Sequence, residues 1–117
     1  MGMFVLSKRK DNLYKFEFVT RKGNAIFISN PYELKFECEE TIQLLKSFSE
    51  KLCYTKFKTV RGNYFFRVVL NEKSLATSRK YSTELMMQKG INDILKNISK
   101  SEVLDFSDSI ALFDKVP

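Results

Sequence analysis

Tyr14-Lys15-Phe16-Glu17-Phe18-Val19-Thr20 and, fifty residues later, Tyr64-Phe65-Phe66-Arg67-Val68-Val69-Leu70 are the two stretches whose reading decides the fold. Each opens on a tyrosine and alternates apolar residues with a period of two. Successive side chains of a strand point to opposite faces, so both stretches predict strands. Working outward, the match continues. Phe4-x-Leu6-x-Lys8 precedes the first stretch as Tyr54-x-Lys56-x-Lys58 precedes the second. Ile26-x-Ile28-Ser29 and Tyr32 follow the first as Leu75-x-Thr77-Ser78 and Tyr81 follow the second. The offset is 50 through the second strand and 49 afterwards, so one residue is missing where the first copy has Arg21-Lys22-Gly23-Asn24. The chain is written twice.

Lys10-Asp11-Asn12, Arg61-Gly62-Asn63 and Gly23-Asn24 carry turn residues between the runs and predict hairpins. In the second copy Asn71-Glu72-Lys73 replaces Gly-Asn; Asn tolerates a left-handed backbone, so a turn of different geometry is expected. After the third strand the period becomes helical. Cys38, Ile42, Leu45 and Ser49 match Met87, Ile91, Ile94 and Ile98, and spacings of four, three and four put each set on one helical face. Ser82 or Thr83 before Glu84 predicts a helix start, and Asn97 an end. Gly90 lies inside this second helix at a cost of about 1 kcal/mol against Ala, which predicts close packing of helix on sheet. Val103-Leu104-Asp105-Phe106 follows as a short final strand, and residues 107–117 form an acidic tail.

Gly2-x-Phe4-x-Leu6-Ser7-Lys8, Asp11-Asn12, Tyr14-x-Phe16-x-Phe18, Gly23, Ile26-x-x-Ser29-x-x-Tyr32 and a helix containing Ile42 together resemble the YegP-like family. Those are small bacterial proteins of unknown function, built from one or two three-strand-plus-helix units. The resemblance covers residues 2 to about 106. It implies a single antiparallel sheet shared by both units, with C-terminal strands exchanged and both helices on one face. The second copy departs from the pattern in lacking Gly at its second turn and in carrying Thr77 where an aliphatic residue is expected. The family carries no established activity or catalytic residue across.

The chain has no His and no Trp but 11 Phe. Without His there is no Ser-His or Cys-His nucleophile pair, no imidazole metal site and no ordinary neutral-pH base. No Gly-rich phosphate loop occurs either. These features exclude the commoner catalytic designs, and the chain reads as a non-enzyme with no cofactor and no metal. Cys38 and Cys53, the two cysteines, lack metal-ligand spacing and read as free thiols. The opening Met1-Gly2-Met3-Phe4-Val5-Leu6-Ser7-Lys8 has no basic segment before an apolar one, and no run approaches the roughly 20 apolar residues of a membrane span. A cytoplasmic protein without membrane contact is expected.

Lys and Arg total 20 against 14 Asp and Glu, a net charge of +6. Residues 50–99 hold 10 basic and 4 acidic groups. Lys56, Lys58, Arg61, Arg67 and Lys73 form the candidate basic patch, beside Phe57 and Phe65. Cations next to aromatic rings hold phosphates and stack bases, whereas a dispersed set of cations only solubilises a surface. Ser29/Tyr32 and Ser78/Tyr81 admit two readings: twin polar pockets at the strand-to-helix junctions, or hydroxyls that satisfy turn backbone beside tyrosines that anchor the helices. Glu37, Glu39 and Glu40 at the start of the first helix read as a solvated face favoured by the helix dipole.

The opposite face of the sheet is the stronger clue. With Tyr14, Phe16 and Phe18 turned to the helices, Leu13, Val19, Phe27, Phe65, Arg67 and Val69 are expected on the helix-free face. A solvated face should be polar; apolar groups mixed with charge there either mark a contact surface or pack on one another across the strands. The expected fold is α+β: tandem β-β-β-α repeats, 2–52 and 53–106, in one pseudo-twofold domain spanning 1–106, with the tail at 107–117. The expected function is a non-catalytic interaction module using the helix-free sheet face, its partner another protein or a second copy. The alternative is RNA binding through the basic strands of the second repeat.

Overall fold

The computed structural model describes residues 2–20 and 23–107. Its strands are β1 (Gly2–Lys8), β2 (Tyr14–Thr20), β3 (Ala25–Ser29), β4 (Cys53–Lys58), β5 (Tyr64–Leu70), β6 (Lys73–Ser78) and β7 (Glu102–Asp105). Helix α1 (Lys35–Ser47) follows β3 and α2 (Glu84–Asn97) follows β6, each ending in a single tight 3₁₀ turn. The order β-β-β-α therefore occurs twice, and β7 closes the described chain. All but one residue of the acidic tail at 107–117 lies outside the described residues.

One sheet holds all seven strands in the order β4-β5-β6-β3-β2-β1-β7. The two units meet at its centre, where β3 pairs antiparallel with β6 through Ile28–Thr77. The expectation of a wholly antiparallel sheet fails at one edge: β7 runs parallel to β1, with Phe4 beside Val103 and Leu6 beside Asp105. The reason is topological. The chain leaves α1 to form β4, which pairs with β5 antiparallel. By the same path the chain leaving α2 would pair with β2, but β1 already occupies that seat. β7 therefore docks outside β1 in the same direction as β1, and a strand reached through a helical crossover can pair in parallel.

Both helices lie on one face of the sheet. Phe4, Leu6, Phe16, Phe18, Phe66 and Val68 meet Cys38, Ile42, Leu45, Met87, Ile91 and Ile94 in one continuous buried layer. Ser49 is the exception to the expected helical stripe: it sits half-buried in the 3₁₀ turn, past the end of α1. Thr83 caps α2, its hydroxyl accepting the Met86 N–H at 3.1 Å. α1 lacks such a residue; instead the Glu37 carboxylate accepts the Leu34 N–H at 3.0 Å, half of a capping box. Gly90 has a specific neighbour, because a β-carbon there would collide with the Tyr81 phenol.

The β2–β3 hairpin corrects the expected position of Phe27. The register slips between Phe18 and Val19, so Phe18 faces Phe27 while Val19 faces Ala25, and Ile26 is the extra residue of a β-bulge. Counting by twos across that hairpin fails by one residue. Phe27 consequently points to the helices, is fully buried and stacks on Phe18 with centroids 5.4 Å apart. Ile28 takes the helix-free face, 43% exposed. The β5–β6 hairpin slips at the equivalent place, between Val68 and Val69, with Leu75 as its extra residue. Thr77 thereby joins the open face beside Ile28, which explains why a polar residue is tolerated there.

Candidate interaction face

Directly paired residues share a face of a sheet, so the register lays out the helix-free surface. Its central row runs Thr55–Arg67–Thr77–Ile28–Glu17–Val5–Leu104, one residue from each strand. Toward one end lie Phe57 and Phe65, stacked with centroids 4.9 Å apart and planes 14° from parallel. The Arg67 guanidinium sits 5.1 Å from the centre of the Phe57 ring, which orders both side chains. On β2 the Lys15 ammonium bonds the Glu17 carboxylate at 3.0 Å. Val19 and Val69 are half-buried neighbours of these rows, and Leu104 is 37% exposed.

Of the residues expected on this face, Val19, Phe65, Arg67 and Val69 are there. Leu13 lies in the loop just before β2, its N–H held by the Asp11 carboxylate at 3.2 Å. Phe27 belongs to the core. The structure adds Phe57, Ile28, Val5 and Leu104. Val5 and Phe57 were findable from the alternation of their own strands; Ile28 needed the bulge, and Leu104 needed the parallel pairing of β7.

The basic residues do not gather into one patch. Lys56 pairs with Phe66 and so faces the helix layer, where its ammonium donates to Gln88 Oε1 at 2.9 Å. Lys58 also turns that way and lies 5.6 Å from the centre of the Tyr64 ring. Arg61 sits in the β4–β5 turn and Lys73 at the head of β6. Of these five, only Arg67 lies on the open face. The open-face strand positions carry Arg67 and Lys15 against Glu17 and Glu102, a balanced set among the described residues.

The twin Ser-x-x-Tyr positions have structural work. Ser29 Oγ accepts the Phe16 N–H at 2.9 Å and donates to the Asn30 carbonyl at 2.8 Å. Ser78 Oγ does the same for Phe66 and Arg79, at 2.9 and 2.7 Å. Tyr32 stacks on Phe16 and Tyr81 on Phe66, at 6.5 and 6.4 Å. Burial pushes both phenols up; the Thr41 hydroxyl partly counters this at Tyr32, and the Arg79 charge at Tyr81. Each tyrosine lines an open cleft between a helix and the hairpin of the other unit. The first cleft, about 410 Å³, lies between α1 and the β5–β6 turn and includes Glu37, Glu40 and Lys73. The second, about 630 Å³, lies between α2 and the β2–β3 hairpin and includes Arg79, Lys89 and Asp93. Their charged linings differ, so the two clefts do not present one ligand chemistry. Cys38 is buried and its thiol is pushed up to about 12, first by that burial and then by Glu37 and Glu39. Cys53 is exposed and free. Among the described residues, no three His, Cys, Asp or Glu side chains come together as a metal site, and no helix is long and apolar enough to cross a membrane.

Fold and surface define a class: an α+β protein with one mixed seven-stranded sheet, two helices on one face and an open, partly apolar face opposite. No protein-family model matches the chain. It is 28% identical over 106 residues to the UPF0339 protein YegP of Escherichia coli strain K12, covering 89% of this chain and 96% of that protein. A UPF0339 protein of Acinetobacter baylyi is 26% identical over 91% of this chain and 97% of its own length. The solution NMR structure of E. coli YegP, a protein of unknown function, superposes with a TM-score of 0.80 at 27% identity, over 91% of this chain and 93% of that one. A UPF0339 protein of Shewanella oneidensis shares the fold, with a TM-score of 0.76 at 23% identity over 91% of this chain and 92% of that one. The resemblance to the YegP-like family holds in sequence and in fold over nearly the whole chain, and the relatives are bacterial.

Proposed function

We propose that this protein is a non-catalytic interaction module whose contact surface is the helix-free sheet face, and that what it contacts is another folded protein surface. The observation that carries the reading is the open face itself, where stacked Phe57 and Phe65 and a 43% exposed Ile28 lie among ordered charges of both signs. An exposed apolar surface of this kind gains by removal from water. Its balanced charge favours a protein over a polyanion, which would need a surplus of cations on one side. Lys56 and Lys58, turned to the helix layer, cannot share a polyanion with Arg67 on the other side of the sheet.

The test is capture of partners from nuclease-treated bacterial extract by the wild type, by Phe65→Lys and by Lys58→Glu. Loss on Phe65→Lys, retention on Lys58→Glu and weak dependence on salt support the reading. Retention of every partner by Phe65→Lys overturns it. So does tight binding of RNA oligomers at about 0.15 M salt that is abolished by Lys56→Glu with Arg67→Glu. Phe27→Lys is unsuitable as a probe, because it buries a charge in the core.

A further inference from the structure

Resting on that reading, we infer that the surface which fits the open face is the same face of a second copy, in a twofold sheet-on-sheet dimer. The argument is self-complementarity. Arg67, Thr77, Ile28 and Glu17 lie in one row, and the centre of the six strands from β4 to β1, with β7 beyond them, falls between the middle pair. Consider a twofold axis parallel to the strands, lying above that centre. It carries β2 of one copy over β5 of the other, so each Glu17 meets the opposing Arg67, twice per dimer. The strands β2 and β5 run in opposite senses across the intervening antiparallel pairs. Val19 therefore lies at the same height as Phe65, and each Val19 meets the opposing Phe65.

The other in-plane axis, perpendicular to the strands, would set Glu17 against Glu17 and Arg67 against Arg67. Like charges face to face are costly, so charge selects the first arrangement. Aligned packing of two sheets about 10 Å apart is an ordinary geometry, and its shallow crossing angle is compatible with a twofold axis. An isologous contact of this kind closes on itself and builds no filament. The side chains are already held for it: Glu17 by Lys15, with a carboxylate oxygen to spare, and Arg67 by the Phe57 ring.

Size is adequate as well. In this arrangement β7 has no strand opposite it, so the overlap is the six strands from β4 to β1. These cover roughly 30 Å at about 4.8 Å each, and a seven-residue strand runs roughly 20 Å. A footprint of ~600 Å² before side-chain relief approaches the ~800 Å² that each partner of a standard interface buries.

The experiment is sedimentation equilibrium of the full chain, with circular dichroism on each variant. The wild type should be a concentration-dependent dimer. Arg67→Glu alone and Glu17→Arg alone should each weaken it by about tenfold or more, since each sets two like-charged pairs face to face. The double swap should restore it, and that rescue also shows that the variants fold. If Glu17→Arg does not fold beside Lys15, Phe65→Lys and Arg67→Glu decide the question by losing the dimer. A wild type that stays monomeric to about 1 mM overturns the inference. A dimer indifferent to the reversals, or reversals that the swap fails to rescue, overturns it equally. A monomeric wild type whose extract partners are lost on Phe65→Lys would sink the dimer and leave the sheet-face reading standing. Partners that survive Phe65→Lys sink the sheet-face reading itself.

Discussion

Tyr54 shows how much a single atom matters inside a shared core. Its ring meets Phe66 edge-on at 5.7 Å, at the position that Phe4 fills in the first unit. Its hydroxyl is buried, and among the described residues no group is within hydrogen-bond reach of it. An unsatisfied buried polar atom costs more than its removal. Tyr54→Phe should therefore raise stability by about 1 kcal/mol in a denaturant titration; a clear loss would reveal a bonded hydroxyl. Burial, with a smaller push from Cys53, raises the Tyr54 phenol to about 12. The unfolded chain thus ionises first, so stability from this group is flat below about pH 10 and falls as the pH climbs through the folded value. Tyr54→Phe should remove that alkaline fall.

Elements show where local chemistry and topology disagree. The β5–β6 hairpin closes through a two-residue turn with φ of 51° at Asn71 and 66° at Glu72. Positive φ at both central residues defines a type I′ turn, which favours Asn followed by Gly. Glu72 bears a β-carbon in left-handed backbone and gains nothing visible for it. Glu72→Gly should stabilise by about 1 kcal/mol, read as a shift in denaturation midpoint; no shift would mean that the turn relaxes at no cost. The strand β7 is the most exposed edge of the sheet, four residues long with every one exposed. Burial pushes the Asp105 carboxyl up, but the Lys35 ammonium and the Ser107 donors more than offset this and hold it below its ordinary value. A depressed carboxylate stabilises above the unfolded pKa and loses that contribution as the pH falls below about 4. The amide of Phe106, bonded to the Leu6 carbonyl at 2.7 Å, should accordingly lose exchange protection in acid before the central strands do. Uniform loss across the sheet would show that β7 is not a separate edge.

At the scale of the whole molecule the two units share one sheet and one apolar layer, so neither has a core of its own. About 50 residues rarely bury enough to fold alone. Unfolding should be a single cooperative transition, and a chain of residues 1–52 should not give a folded monomer. Ile42→Ala in α1 and Ile91→Ala in α2 empty the same buried layer at two places, with 1% and 3% exposure in the intact protein. Each should cost about 2–5 kcal/mol and shift that one transition. Two separable transitions, one moved by each substitution, would mean that the units fold independently.

The legible part of this protein is what local period and composition control. Alternation in Tyr14–Thr20 and Tyr64–Leu70, the switch to a helical stripe at Cys38 and Met87, and the Thr83 cap are short-range patterns. They place six strands and two helices, because residue spacing alone sets which side chains share a face. The class of the open face, apolar groups mixed with charge at Val19, Phe65, Arg67 and Val69, was legible for the same reason. The side taken by Phe27 was not, because one extra residue in a hairpin inverts every following position and nothing local marks it. Nor was the parallel seat of β7, which was decided by β1 already lying beside β2. The scattering of Lys56, Lys58, Arg67 and Lys73 over different sides has the same origin. Residues near in sequence become partners or strangers only when strand pairing assigns them a face, and that assignment is made across the sheet, by residues far apart in the chain.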